Sequence, residues 1–150
     1  MRVIVKIGNI YEIRVPDGQL VYFQYIGKDK TQLYGDVIRV FKGRYKQRPS
    51  IDVIISDMVA FYQHTFVRMG VKDGSWERIG HSEDLGDMDI WFRVNKSYLK
   101  DYGPESWEIW KYNNPRKFVG VLPTDFQKAD IGFLDPPSYV IQRIIDGEER

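Results

Sequence analysis

A chain of 150 residues with 43% hydrophobic and 29% charged side chains has the balance of a globular protein, which excludes intrinsic disorder. It contains no cysteine, so disulfides, thiol nucleophiles, iron–sulfur clusters and cysteine-ligated zinc are excluded; no apolar run approaches the ~20 residues of a membrane span. Net charge is only +1, yet residues 1–50 carry 10 Lys/Arg against 4 Asp/Glu and the rest of the chain is acidic.

The apolar stretch within Met1–Lys6 is too short for a signal peptide and no small-residue cleavage site follows it, so the expected location is the cytoplasm. No repeat, low-complexity tract or Gly/Ser linker interrupts the chain, so one β-rich domain over 1–150 is expected. Tyr11, Ile13 and Val15 alternate with Glu12 and Arg14 as in a strand, and Pro16-Asp17-Gly18 supplies turn chemistry. Leu20–Ile26 is apolar or aromatic on both faces, like a central strand. Gly27–Gly35 reads as a polar loop and Val37–Phe41 as the third strand of a meander.

Ile51–Ile55 is either a strand or a single helical turn. A long strand is expected from Val59 to Val71. Asp73-Gly74 then gives a hairpin signal leading into a strand over Ser75–Ile79. Ile90–Val94 and Trp107–Tyr112 alternate as two further strands, the second ending at Asn113-Asn114-Pro115. Thr124 and Gln127 stand in capping-box spacing, which predicts a short helix there. Residues 136–146 read as a helix stopped by Gly147, with a terminal strand as the alternative. The predicted fold is mainly β: a strongly curved antiparallel sheet or partly open barrel with one or two short C-terminal helices.

No nucleotide-binding glycine loop, nucleophile elbow or zinc-binding helix is present, and no catalytic residue, metal or cofactor is expected. If the Asp73-Gly74 hairpin forms, His64 and His81 fall on neighbouring strands, where Glu83 or Asp84 would complete a partial ligand set. Ordinary strand and loop positions are the simpler expectation for both histidines. The segment Glu83–Asp89 packs Glu83, Asp84, Asp87 and Asp89 into seven residues without the spacing of a calcium loop. With Trp91 opposite the Ile90/Phe92/Val94 face, these residues compose a candidate partner-binding patch: charge beside an aromatic anchor. A second candidate is the basic connection containing Lys42, Arg44, Tyr45, Lys46 and Arg48, where cations interleaved with a ring suit single-stranded nucleic acid. Solvated loops are the plain alternative for both.

Lys6-Ile7-Gly8-Asn9-Ile10-Tyr11-Glu12-Ile13, Pro16-Asp17-Gly18, Gln24-Tyr25 and Ile38-Arg39-Val40-Phe41 resemble the opening of the immunity protein twenty-six family of bacterial polymorphic toxin systems. A second block, Phe61 to Gly70 leading to Gly74-Ser75-Trp76-Glu77-Arg78-Ile79-Gly80, resembles the same family, and the resemblance covers residues 6–112. It implies a small, mostly β cytoplasmic antidote that binds a cognate protein toxin, in many such systems a nuclease. A net charge of +1 argues against mimicry of nucleic acid by the whole surface.

Overall fold

The structure, a computed structural model, describes residues 2–147; Met1 and residues 148–150, the ends of the expected 1–150 domain, lie outside the described residues. Five strands form the larger sheet: β1 (Asn9–Arg14), β2 (Leu20–Lys28), β3 (Asp36–Phe41), β4 (Val59–Thr65) and β5 (Glu77–His81). Their spatial order is β4-β3-β2-β1-β5, with every neighbouring pair antiparallel. A second sheet holds β6 (Trp91–Asn95), β7 (Trp107–Lys111), β8 (Lys117–Gly120) and β9 (Asp130–Ile131), ordered β8-β7-β6-β9 with β9 parallel to β6. Among the described residues three α-helices complete the fold, α1 (Ile51–Ile55), α2 (Val67–Lys72) and α3 (Pro137–Asp146), with 3-10 turns at Lys96–Tyr98 and Thr124–Phe126.

The fold is mainly β, as the alternation predicts, but the strands make two sheets and do not close into a barrel. Both faces of the large sheet are covered. On one side Tyr11, Ile13, Phe23, Ile38, Val40 and Phe61 meet Val67 of α2, Trp76, and Val140 and Ile144 of α3. On the other, Ile10, Leu20, Tyr22 and Phe41 pack on Ile54 of α1, while Ile26, Val37 and Tyr62 meet Phe92, Val94 and Trp110 of the second sheet. Double coverage is the reason β2 is apolar on both faces, with only Lys28 at its end outside the core.

Several sequence expectations need correction. The long strand over Val59–Val71 stops at Thr65; Val67, Gly70 and Val71 have helical spacing, and α2 begins after Phe66. Asp73-Gly74 consequently closes a helix instead of a hairpin: Asp73 is the C-cap of α2, its carboxylate accepts from Ser75 N–H, and Gly74 takes the left-handed φ of 82°. The next strand starts at Glu77. His64 and His81 therefore lie on β4 and β5, the opposite edges of the large sheet, so the approach conditional on that hairpin does not occur and both hold ordinary strand positions. Ile51–Ile55 is a helical turn capped by Ser50, so short helices are not confined to the C-terminus. Thr124–Phe126 is a 3-10 turn whose N-cap is Pro123, without a capping-box bond. Residues 137–146 resolve as helix, with Gly147 in the left-handed conformation at its end. No helix among the described residues is long and apolar enough to cross a membrane.

Candidate functional site: the acidic loop between the sheets

The loop Ser82–Ile90 carries the chain from β5 of the large sheet to β6 of the second. Glu83, Asp84, Asp87 and Asp89 are all exposed, whereas Leu85 and Met88 turn inward onto the cluster around Ile90, Phe92 and Trp110. The loop is thus anchored by two apolar side chains while its carboxylates face water. Local bonds stiffen it further: Asp84 accepts from Gly86 N–H at 3.0 Å and Asp87 from Asp89 N–H at 2.9 Å.

A buried polar chain ties the loop to the large sheet. Arg39 of β3 is only 4% exposed, and its Nη2 donates to the Asp84 carbonyl at 2.9 Å. Its Nε donates to Gln24 Oε1 at 2.8 Å, and the Gln24 amide donates to the carbonyls of Gly8 and Ser82. The guanidinium also lies 5.0 Å over the Phe41 ring. Burial pulls Arg39 below its ordinary value, opposed by Tyr62 and Asp84, but a guanidinium stays protonated in a protein. A cation set under a loop of four carboxylates, bonded to a backbone carbonyl of that loop, fixes the loop's position relative to the sheet.

Gly86 is required by the same arrangement. Its φ is 74°, and a Cβ there would run into Arg39 Nη1. Gly86→Ala should displace the guanidinium from Asp84, cost about 1–3 kcal/mol through the left-handed backbone, and speed amide exchange in Ser82–Asp89 beyond that in β3.

At the ends of the loop, His81 Nδ1 meets Asn9 Oδ1 at 3.1 Å and its Nε2 meets Glu83 Oε1 at 2.8 Å. The hydrogen bond from His81, with its charge, holds the Glu83 carboxyl below the usual range. Asp89 accepts from Trp91 Nε1 at 3.0 Å and pairs with Lys111 at 3.3 Å. Trp91 does lie opposite the buried Ile90/Phe92/Val94 face, but Phe126 covers part of it, with ring centroids 5.0 Å apart. Its indole is half-buried, a rim aromatic beside the carboxylates.

The basic connection is largely engaged with its own fold. Arg48 grips Glu12 through Nε at 2.8 Å and Nη2 at 3.1 Å, and Nη2 also reaches Glu77. The Arg48 hydrogen bonds, against the cost of burial, hold the Glu12 carboxyl below its ordinary value. Tyr45 bridges the backbone of Leu20 and sets its ring 5.9 Å from Tyr22. Arg44 donates to the Ile144 carbonyl of α3. Lys42 and Lys46 stand exposed on the same segment.

His64 is fully buried. Its Nε2 lies 2.9 Å from Asp29 Oδ2, which also accepts from Trp110 Nε1 at 2.9 Å, while Asn113 N–H donates to Asp29 Oδ1 at 3.0 Å. A carboxylate only accepts, so Nε2 carries the proton. With no exposure at Asp29 or His64, this cluster clasps the two sheets and offers no surface for a substrate. Among the described residues, no group of three or more His, Asp or Glu side chains is placed to hold a metal ion.

The roles of Arg39, Gln24 and Asp29 are not assigned by any sequence motif, although Arg39 and Gln24 leave a trace. Arg39 and Gln24 are single polar residues inside otherwise apolar strands, a pattern that signals a buried hydrogen-bonding role. Comparison with protein-family models, with curated proteins and with solved structures returned no match to this chain.

Proposed function

We propose that this protein is an immunity protein that binds and blocks a cognate protein toxin, and that Glu83, Asp84, Asp87 and Asp89, with Trp91 at the rim, receive a basic surface of that toxin. The observation that carries the reading is the anchoring of the acidic loop: Arg39 bonds it from below, and Leu85 and Met88 hold it from within. A surface already rigid before binding loses little conformational freedom on association. Clustered carboxylates accelerate the encounter more than they deepen affinity. The resemblance read in residues 6–112 points to the same function, and no family model matches the chain.

The first test is the neighbouring genes: absence of a secreted toxin there would count against the reading. Against a toxin domain found there, the variant Glu83→Gln/Asp84→Asn/Asp87→Asn/Asp89→Asn tests the acidic loop. The amides preserve the local turns, so the circular dichroism spectrum should be unchanged. The association rate at low salt should drop at least about tenfold, with a smaller change in dissociation, and neutralisation should fail at limiting protein. An unchanged rate would place the interface elsewhere. Submicromolar binding of single-stranded oligonucleotide at physiological salt, lost on replacing Lys42, Arg44, Lys46 and Arg48, would replace this function with a nucleic-acid one.

A further inference from the structure

A second surface, sharing no residue with the acidic loop, surrounds α2. Its core is an open groove of about 560 Å³ in which Phe66 and Met69 are solvent-exposed, at 38% and 46%. Phe66 breaks a local rule. It occupies the N-cap of α2, where Ser, Thr, Asp or Asn normally bonds the first turn, and it makes no capping bond. The service is supplied from elsewhere: Asp36 of β3 accepts from Val67 N–H at 2.9 Å. A large apolar side chain is therefore kept at a position that gains nothing from it in helix stability, and Met69, one turn on, extends the same apolar floor. Flexible, polarisable methionine suits such a contact.

The rim is cationic. Lys28, Arg68 and Lys72 border the groove, and among the described residues neither Arg68 nor Lys72 forms an ion pair. Two carboxylates, Asp36 and Asp73, also border it and reduce the net charge of the lining to +1, three cations against two anions, but both are turned to the chain's own backbone. Asp36 caps α2 and lies 3.9 Å from Lys28, and Asp73 holds the turn at Ser75. On the far side of Lys28 sits Tyr34, 64% exposed, its ring 4.8 Å from the Lys28 ammonium. Leu33 and Tyr34 both have left-handed backbones, with φ of 61° and 52°. Two consecutive large residues in that region cost about 1–3 kcal/mol each, and the turn they form displays an aromatic ring beside a lysine.

We propose that this groove docks an acidic segment of a partner protein, with one bulky apolar side chain of that segment seated on Phe66 and Met69 and its carboxylates paired with Lys28, Arg68 and Lys72. Arg68 and Lys72, which form no ion pair among the described residues, set the sign of the occupant, and Phe66 and Met69 between them supply the apolar contact. The proposal is independent of the acidic loop and of the toxin-binding function, because each surface has its own variants.

The probe is a short fluorescein-labelled peptide rich in Asp and Glu with one central Leu, titrated into the full chain by anisotropy. Saturable binding is expected, weakening as salt shortens the Debye length below ~8 Å, with chemical-shift changes at the Met69 methyl. Arg68→Glu/Lys72→Glu and, separately, Met69→Ser should each raise Kd at least about tenfold. All three residues are exposed, and circular dichroism confirms the fold of each variant. Four results would overturn the proposal: absence of binding, equal binding of a peptide with Lys at the acidic positions, insensitivity to these variants, or sedimentation with anionic phosphatidylserine vesicles in the absence of peptide binding. Concentration-dependent self-association abolished by Met69→Ser would overturn it too, assigning the groove to a second copy of this chain.

Discussion

Asp29→Ala is expected to lower the free energy of unfolding by about 3–5 kcal/mol, the usual cost of removing one partner from a buried charged network. Asp29 is wholly buried and receives His64, Trp110 and the Asn113 backbone, from β4, β7 and the turn after β7. Its loss would orphan three donors at the junction of the two sheets. Asp29→Asn should cost less, because an amide oxygen still accepts. Urea denaturation followed by tryptophan fluorescence measures both, and equal stability of Asp29→Ala and the parent would refute the clasp.

The same carboxylate makes stability depend on pH. Burial pushes it up, but the hydrogen bonds from His64, Trp110 and Asn113 together outweigh burial and hold it below its ordinary value of 3.8. A depressed carboxyl contributes stability that is fully present above that ordinary value and is lost as pH falls through the lower folded one. Glu12, depressed by Arg48, acts in the same direction. Acidification through this window should therefore destabilise the parent protein more than Asp29→Asn, and parallel pH curves would contradict the assignment.

Trp76→Ala should cost about 3–5 kcal/mol, as deletion of a buried indole normally does. Trp76 is 3% exposed, meets Phe23 edge-on at 4.9 Å between ring centroids and donates from Nε1 to the Val67 carbonyl at 2.9 Å. It fastens α2 to the sheet. Gly70 allows this approach, since a Cβ there would fall inside the indole ring. Gly70→Val alone should be destabilising by about 1–3 kcal/mol through overpacking. Combined with Trp76→Ala it should cost less than the two separately, by at least about 0.5 kcal/mol, because the valine fills part of the vacated space. Strict additivity in chemical denaturation would mean that the two side chains do not share that space.

The acidic loop and the basic connection were equally conspicuous as runs of charge, and folding treats them differently. Arg48 pairs with Glu12 and Glu77 and Tyr45 packs on Tyr22, whereas Glu83 meets His81, Asp89 pairs with Lys111, and the Asp84 and Asp87 carboxylates bond, among the described residues, only their own loop. Whether a charge finds a partner depends on residues distant in the chain, such as Arg48 and Glu12, and no local pattern reports it.

What the sequence determined by itself was the local structure where a period or a turn residue acts alone. The alternation of Tyr11, Ile13 and Val15 and the two-sided apolar run of β2 each have a local physical cause, and the meander follows from them, whereas residues 136–146 allowed helix or strand until Val140 and Ile144 packed on the sheet as α3. Tertiary structure decided the rest. Val67–Lys72 is helix where a strand is expected, with Val67 and Gly70 against Trp76, and the pairing of β5 with β1 puts the two histidines at opposite edges of one sheet. It likewise decided that the strands divide into two sheets and that Arg39, Gln24 and Asp29 join them to distant loops. Hydrogen bonds between residues tens of positions apart follow only from how buried polar groups find partners, because burial without a partner costs more than any local preference supplies.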